Sequence, residues 1–356
     1  MWIADMDFEV APPITEAILR RAAHPLYGYE FRPDSYDQAI IDWVQRRGNW
    51  SIQREWLGFT PGVVAGYSFA VRAFAAAGEG IVIQPPVYPP FAHIIECNGR
   101  KVINNPLRDT GSRFEIDFED LDRKLSEARA FLFCNPHNPT GRVFSRDELL
   151  RIGELCCRHD VTIISDEIHS DLVFKPSHHI HIASLSPEIA ARTITFIAPS
   201  KTFNIAGLST SVVITPNEHL RNRFLEEFDK VHCDQGNSFG RVALEVAYNR
   251  CEDWLDQVLD YIEGNMDYVR NFLEKNIPAI RTYRNEGTYL MWLDCRGLGL
   301  SHNELLRFFT QKAHLGLNDG ATFGIGGEGH LRLNAATNRS TLERAMNQLL
   351  EACRQL

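Results

Sequence analysis

Five side chains in this sequence stand where a reaction could use them. Lys201 directly follows the apolar run TITFIAPS (193–200), Asp166 closes the run VTIIS, and Asn138 lies inside NPHNPTG (135–141). Tyr88 sits in PPVYPPF (85–91) and Arg332 in HLRLN (330–334). A lysine desolvated by apolar neighbours is partly neutral, and so can act as a nucleophile or a base. A carboxylate at a strand end can hold a cation or a proton, an amide can donate an N–H, and a planar guanidinium fork suits a carboxylate. Taken singly, each has a plainer reading. Asn-Pro and Pro-Thr-Gly form turns, Asp166 caps one, Lys201 snorkels to solvent, and Arg332 makes a surface ion pair. The ordered set on successive strand ends is much harder to explain as turn chemistry.

The segments carrying these residues alternate in type. GIVIQPP (80–86), AFLFCNP (130–136), VTIISDE (161–167), TITFIAPS (193–200) and STSVVIT (209–215) read as short buried strands. Between them, SRDELLRIGELCCRHD (145–160) reads as a helix. Ser145 with Glu148 forms a capping box, and Leu149, Ile152, Leu155 and Cys156 recur at helical spacing. The alternation predicts an α/β fold with a mostly parallel sheet covered on both faces. After about residue 217 helical patterns run to about residue 275. TYLMWLD (288–294), a helix from about Asn303, the strand HLRLN and a helix from about Thr341 then predict a smaller α+β domain. In open α/β sheets ligands bind beyond the carboxyl ends of the strands. Tyr88, residues 135–141, Asp166 to His169, Ser200 and Lys201 all fall there.

Composition narrows the class. The 356 residues are 44% apolar and 23% charged, ordinary for a soluble globular chain. A net charge of −9 without a long block of either sign argues against a nucleic-acid scaffold. No apolar run is long enough to span a bilayer, and no secretory leader opens the sequence. The eight cysteines form no CxxC pair, so they read as reduced core residues of a cytoplasmic protein.

With these residues in view, the chain resembles a fold-type I pyridoxal-phosphate enzyme of the class I/II aminotransferase superfamily. More narrowly it is similar to the cystathionine β-lyase branch of C–S lyases. WIADMDF (2–8), YGYEF (27–31), TPGVVAGYSFAV (60–71), PPVYPPF, NPHNPTG, SDEIHSDLVF (165–174), SKTFNIAGL (200–208) and HLRLN carry the resemblance along essentially the whole chain. It implies a large domain over 28–256, with a seven-stranded, mostly parallel sheet between helices. Residues 1–27 with 257–356 would form the small domain. It implies pyridoxal 5'-phosphate as cofactor, joined covalently to Lys201, with Asp166 against its ring nitrogen, Asn138 on its phenolate oxygen and Tyr88 stacked on its face. Phosphate contacts would come from Val64 and Ala65 at a glycine-flanked helix start, from Ser200, and from Tyr29 of a partner subunit. The protein would thus be a homodimer with shared sites. Arg332 would grip the substrate α-carboxylate, and backbone around Ile3 and Ala4 would lie over the substrate. His169 stands where aminotransferases of the superfamily usually place a tyrosine on the phenolate oxygen. Ser209 stands where they place an arginine on the phosphate.

Both departures occur in the C–S lyase branch, so the expected reaction is α,β-elimination of a sulfur-bearing L-amino acid to pyruvate, ammonia and a thiol. An aminotransferase acting with a 2-oxo acid is the alternative. A cofactor-bearing regulatory protein is a second rival, and no surface in the sequence identifies its partner. WIADMDF normally follows a few dozen residues in this branch but opens here at residue 2. Either the natural chain is short or the sequence is an incomplete form, in which case a lost leading segment would weaken the dimer or access to the site. Three further features read as structural. His178, His179 and His181 lie in a loop without metal, since no carboxylate or cysteine near them in sequence completes a ligand set. Phe308 and Phe309 belong to the core, and Arg339 forms an ion pair near the carboxylate-binding strand.

Overall fold

Ser145 begins the helix Arg146–Arg158 as its sequence predicts. Its hydroxyl accepts from the Glu148 amide at 3.3 Å, while the Glu148 carboxylate accepts from the Ser145 amide at 2.8 Å. Ser145→Ala should lower stability by about 1 kcal/mol and leave turnover unchanged, as read from chemical denaturation beside an activity assay. An unchanged midpoint would show that the cap contributes nothing.

The structure, a computed structural model, describes residues 1–233 and 236–356. Its strands are β1 (Leu57–Thr60), β2 (Gly80–Ile83), β3 (Lys101–Asn104), the small hairpin β4 (Arg108–Asp109) with β5 (Phe114–Glu115), β6 (Ala128–Cys134), β7 (Thr162–Asp166), β8 (Thr193–Ile197) and β9 (Ser211–Ile214). Later come β10 (Arg281–Thr282), β11 (Leu290–Asp294), β12 (Asn318–Asp319) and β13 (His330–Asn334). Seven of these form one sheet in the order β1-β9-β8-β7-β6-β2-β3. Strands β8, β7, β6, β2 and β3 run parallel, and β9 is antiparallel to both its neighbours.

The inner strands are apolar on both faces because both faces are covered. Leu132, Ile164 and Phe196 point to the side packed by the helix Val63–Phe74, while Phe131, Phe133 and Ile163 point to the side packed by Arg146–Arg158. Tyr67 meets Phe196 edge-on with ring centroids 5.2 Å apart. That approach needs a glycine: a Cβ on Gly66 would lie 2.4 Å from the Phe196 ring. β10, β11, β13 and β12 form an antiparallel second sheet, covered by the helices Glu252–Asn276 and Arg339–Cys353.

Sequence pattern and structure part at a few places. The edge strands β1 and β3 have no sequence counterpart above, because four residues with half-exposed faces show little periodicity. The run TITFIAPS leaves the sheet after Ile197, and Pro199–Thr202 turns helical, so Lys201 sits on a one-turn helix rather than a strand tip. STSVVIT enters the sheet at Ser211, after Ser209 adopts φ 44°. Phe308 and Phe309 are core residues, as expected. The thiols of Cys134, Cys156, Cys251 and Cys295 are buried, but Cys97 is exposed and stands outside the core reading. Among the described residues no helix is long and apolar enough to cross a membrane.

Candidate active site

Three parallel strands deliver their ends to one place. β7 ends at Asp166, β6 leads into the loop holding Asn138, and β8 leads into the turn of helix holding Ser200 and Lys201. The strand end bearing Asp166 is tied on both sides. The Asp166 carbonyl accepts from the Asn135 amide at 3.0 Å, and the Glu167 amide donates to Phe196 O at 2.9 Å. The Asp166 side chain is 4% exposed and accepts from the Ile168 amide at 3.1 Å. No basic side chain among the described residues comes within ion-pair distance of it, and Lys201 pairs elsewhere. Burial therefore pushes its pKa up to about 6. The neighbouring Glu167 charge adds to the rise, while Tyr67, the Ile168 amide and Cys134 restrain it. The Tyr67 hydroxyl, buried beside it, has no well-formed hydrogen bond of its own.

Lys201 Nζ donates to Ala4 O at 2.6 Å and lies 3.7 Å from Asp5 Oδ1. Burial lowers its proton affinity, partly opposed by Asp5. Arg332 is buried. Its Nη1 donates to Asn138 Oδ1 at 3.0 Å and its Nη2 to Trp2 O at 2.8 Å, while Nε has no partner. Its guanidinium carbon stands 5.1 Å from the Phe323 ring centroid. His169 is buried edge-on to Tyr289, with Nδ1 unpartnered. Burial, helped by the cations of Lys201 and Arg332, depresses its pKa to about 3, so it is neutral at physiological pH.

The opening segment lies over these groups through its backbone. Asn334 Nδ2 donates to Ile3 O at 2.7 Å and to Asp5 O at 2.6 Å, and the Tyr289 hydroxyl donates to Ala4 O at 2.8 Å. The Ile3 side chain itself is exposed. At the other side of the site Gly62, at φ 141°, precedes the helix Val63–Phe74, and no side chain caps its start. The first amides there, including those of Val64 and Ala65, have no partners within the helix. Ser200 is half-buried beside Lys201, whereas Ser209 is exposed. Tyr88 is half-buried against Phe91, and burial together with the Asp166 charge raises its pKa. Tyr29 is 91% exposed, within an aromatic run from Leu26 to Phe31 that a single chain leaves open to solvent.

Two readings of the sequence need correction. A carboxylate does complete a set with the loop histidines: Glu167, His179 and His181 bring one ligand-type atom each within 4.8 Å of one another, and His178 is not among them. Sequence neighbours could not reveal this, since Glu167 lies more than ten residues away and arrives by folding. Arg339 makes no ion pair among the described residues. It donates to the Asn265 amide oxygen at 2.9 Å and lies over the Tyr268 ring.

Sequence reasoning also passed over Tyr67, Tyr289 and Asn334, and it gave Glu167, inside the stretch Asp166 to His169, no role of its own. Asn334 was within reach of it, since it lies two residues from Arg332 on one strand and so shares its face. Tyr67 sits at helical spacing among apolar residues and reads as core.

Chemically, the site offers a buried carboxylate lacking a cation, an amine of lowered basicity and a guanidinium with an amide beside it. An uncapped helix start adds free amides. Such a set suits a ligand carrying a cationic N–H, a carbonyl carbon and a dianion, together with a second molecule bearing a carboxylate.

Residues 4–349 match the family described as aminotransferase class I and II. The cystathionine beta-lyase PatB of Bacillus subtilis (strain 168) is 43% identical to this chain, over 99% of it and 92% of PatB. Protein MalY of Escherichia coli (strain K12) is 32% identical over 99% of this chain and 90% of MalY. Among solved structures, cystalysin from Treponema denticola, described as containing a pyridoxal 5'-phosphate cofactor, matches with a TM-score of 0.98 at 36% identity. That match covers 100% of this chain and 91% of the other.

Proposed function

Because the chain belongs to the aminotransferase class I and II family, we propose that it is a pyridoxal-phosphate-dependent carbon–sulfur lyase. It acts on L-amino acids with sulfur at the β-carbon, such as cystathionine or cysteine. The observation that carries this reading is Asp166, a buried carboxylate that lacks a cationic partner and stands among Lys201, Asn138 and Arg332. The residues fit the cofactor. Asp166 suits its ring N–H, Asn138 and neutral His169 its phenolate side, and Tyr88 its face. Val64, Ala65 and Ser200 suit its phosphate, and Lys201 its aldehyde carbon. Bound there, pyridoxal phosphate supplies an electron-accepting ring that stabilises negative charge at the substrate α-carbon.

Arg332 binds the α-carboxylate, with Asn138 and the Trp2 carbonyl fixing its plane. The segment Trp2 to Asp5 excludes water above Lys201. Lys201 Nζ takes the proton from the α-carbon as general base, helped by burial that weakens its hold on a proton. The Cβ–S bond then breaks with its electron pair leaving on sulfur, and Lys201 Nζ or the Tyr88 hydroxyl returns a proton to the thiolate. The remaining three-carbon product takes up water and yields pyruvate and ammonia.

The family also contains aminotransferases, which share the first proton transfer. His169 and Ser209, at positions where that reaction usually has tyrosine and arginine, favour elimination. Incubation with L-cystathionine alone should release stoichiometric pyruvate and free thiol. Product that forms only after a 2-oxo acid is added would overturn the lyase reading.

The exposed run Leu26 to Phe31 supports a homodimer in which Tyr29 reaches the phosphate of the partner's site. The large unit of each subunit would span 28–256, and the small one 1–27 with 257–356. Four buried thiols outside disulfides fit a reducing, cytoplasmic setting.

A further inference from the structure

Glu167 follows Asp166 at the end of β7, and its side chain is buried, with 1% exposure. Its carboxylate is held from four directions. Oε1 accepts from the Ser165 hydroxyl at 2.8 Å and from the Ile182 amide at 3.4 Å; Oε2 accepts from His179 Nε2 at 2.9 Å and from His181 Nδ1. The two imidazoles meet edge-on at 4.8 Å. His181 is wedged between the Trp50 ring and Gly48, where a Cβ would lie 2.2 Å from its Nε2. A buried charge with this many donors is fixed in place. Nothing in the chemistry described above uses it.

Its neighbours suggest a use. Successive residues of a strand end point to opposite sides, so the carboxylate stands behind Asp166 while Asp166 faces the site. We propose that Glu167, held by His179 and His181, is a positioning residue for the reaction: it locks the end of β7 and keeps an anion behind Asp166, strengthening the hold of Asp166 on the ring-nitrogen proton of the cofactor. The inference rests on the cofactor reading given above. Burial alone would favour a neutral Glu167, but the imidazoles of His181 and His179 hold it ionised, down to about 2. Its charge is among the influences that raise Asp166. The other titratable groups facing Asp166 are Tyr67 from the helix Val63–Phe74, Cys134 from β6, Tyr88, and Lys201 beyond β8. On the far side, Asp171 influences the two histidines.

Glu167→Gln keeps the shape and removes the charge. In protein loaded with cofactor 15N-labelled at the ring nitrogen, we expect that nitrogen to lose its proton roughly one pH unit lower than in the wild type. We also expect kcat with L-cystathionine to fall about tenfold, with KM within about twofold, and cofactor to bind about tenfold more weakly to the cofactor-free protein. His179→Ala removes one of the donors that keep the Glu167 carboxylate ionised, so it should weaken that charge in part and move the nitrogen titration in the same direction by less. It decides the matter should Glu167→Gln fail to fold. A ring nitrogen that titrates as in the wild type overturns the proposal, even if activity falls along with melting temperature. A wild-type protein that takes up no cofactor would instead overturn the underlying function.

Discussion

Lys201→Ala is expected to lower turnover by about four orders of magnitude while leaving the fold intact. The side chain is the amine nearest the site's carboxylate and guanidinium, and burial has already weakened its hold on a proton. Alanine removes both the covalent anchor and the general base. The visible absorbance of the loaded protein should shift toward that of free cofactor, and added methylamine should restore a fraction of the rate. Loss of the Nζ bond to Ala4 O could also loosen the opening segment. The amine rescue separates the two, because a small amine replaces a base but not a tether. Retained turnover, or an absorbance spectrum identical to wild type, would remove Lys201 from the chemistry.

Asp166→Asn has two consequences of opposite sense. With cofactor bound, turnover should drop by about three orders of magnitude, because the amide no longer holds a proton on the ring nitrogen. Without cofactor, the same change should stabilise the protein. Asp166 has an ordinary value near 3.8 in the unfolded chain and about 6 in the fold. Between those values, as pH rises, the unfolded chain gives up its proton while the fold keeps it, so wild-type stability falls. Above pH 6 the carboxylate is ionised in both states and the penalty stays constant, on the order of 2–3 kcal/mol. Denaturation of the two cofactor-free proteins should show Asp166→Asn more stable at pH 7, with the gap closing toward pH 4. A gap of the same size at both pH values would deny Asp166 its raised affinity. Wild-type rates in the loaded variant would deny its role on the ring.

These opposite effects share a physical origin. A carboxylate buried without a cation is a cost to the empty fold and a binding site for a cationic partner. The buried anion of Glu167 deepens that cost, which is why a structural role for it alone is a poor account.

Some of this was legible in the linear chain. Apolar runs ending in Pro, Asp and Lys announced parallel strands whose ends carry polar residues, and Ser145 with Glu148 announced a helix start to within a residue. These signals are local: they depend on side-chain period and on cap residues a few positions apart. The same local logic placed Arg332 on a late strand and could have added Asn334 beside it. The positions of β1 and β3 were not legible, because short edge strands are stabilised by pairing rather than by their own pattern.

What folding alone decided lies in contacts between distant parts of the chain. The carbonyls of Trp2 and Ala4 meet Arg332 and Lys201 across 330 and 197 residues. Tyr67 reaches Asp166 from a helix face that reads as core, and two loop histidines find Glu167 on the hidden side of a strand end. Alternation along β7 separates Asp166 from Glu167 in direction. Which of them faces the site depends on the layers packed against each face, and no run of adjacent residues encodes that.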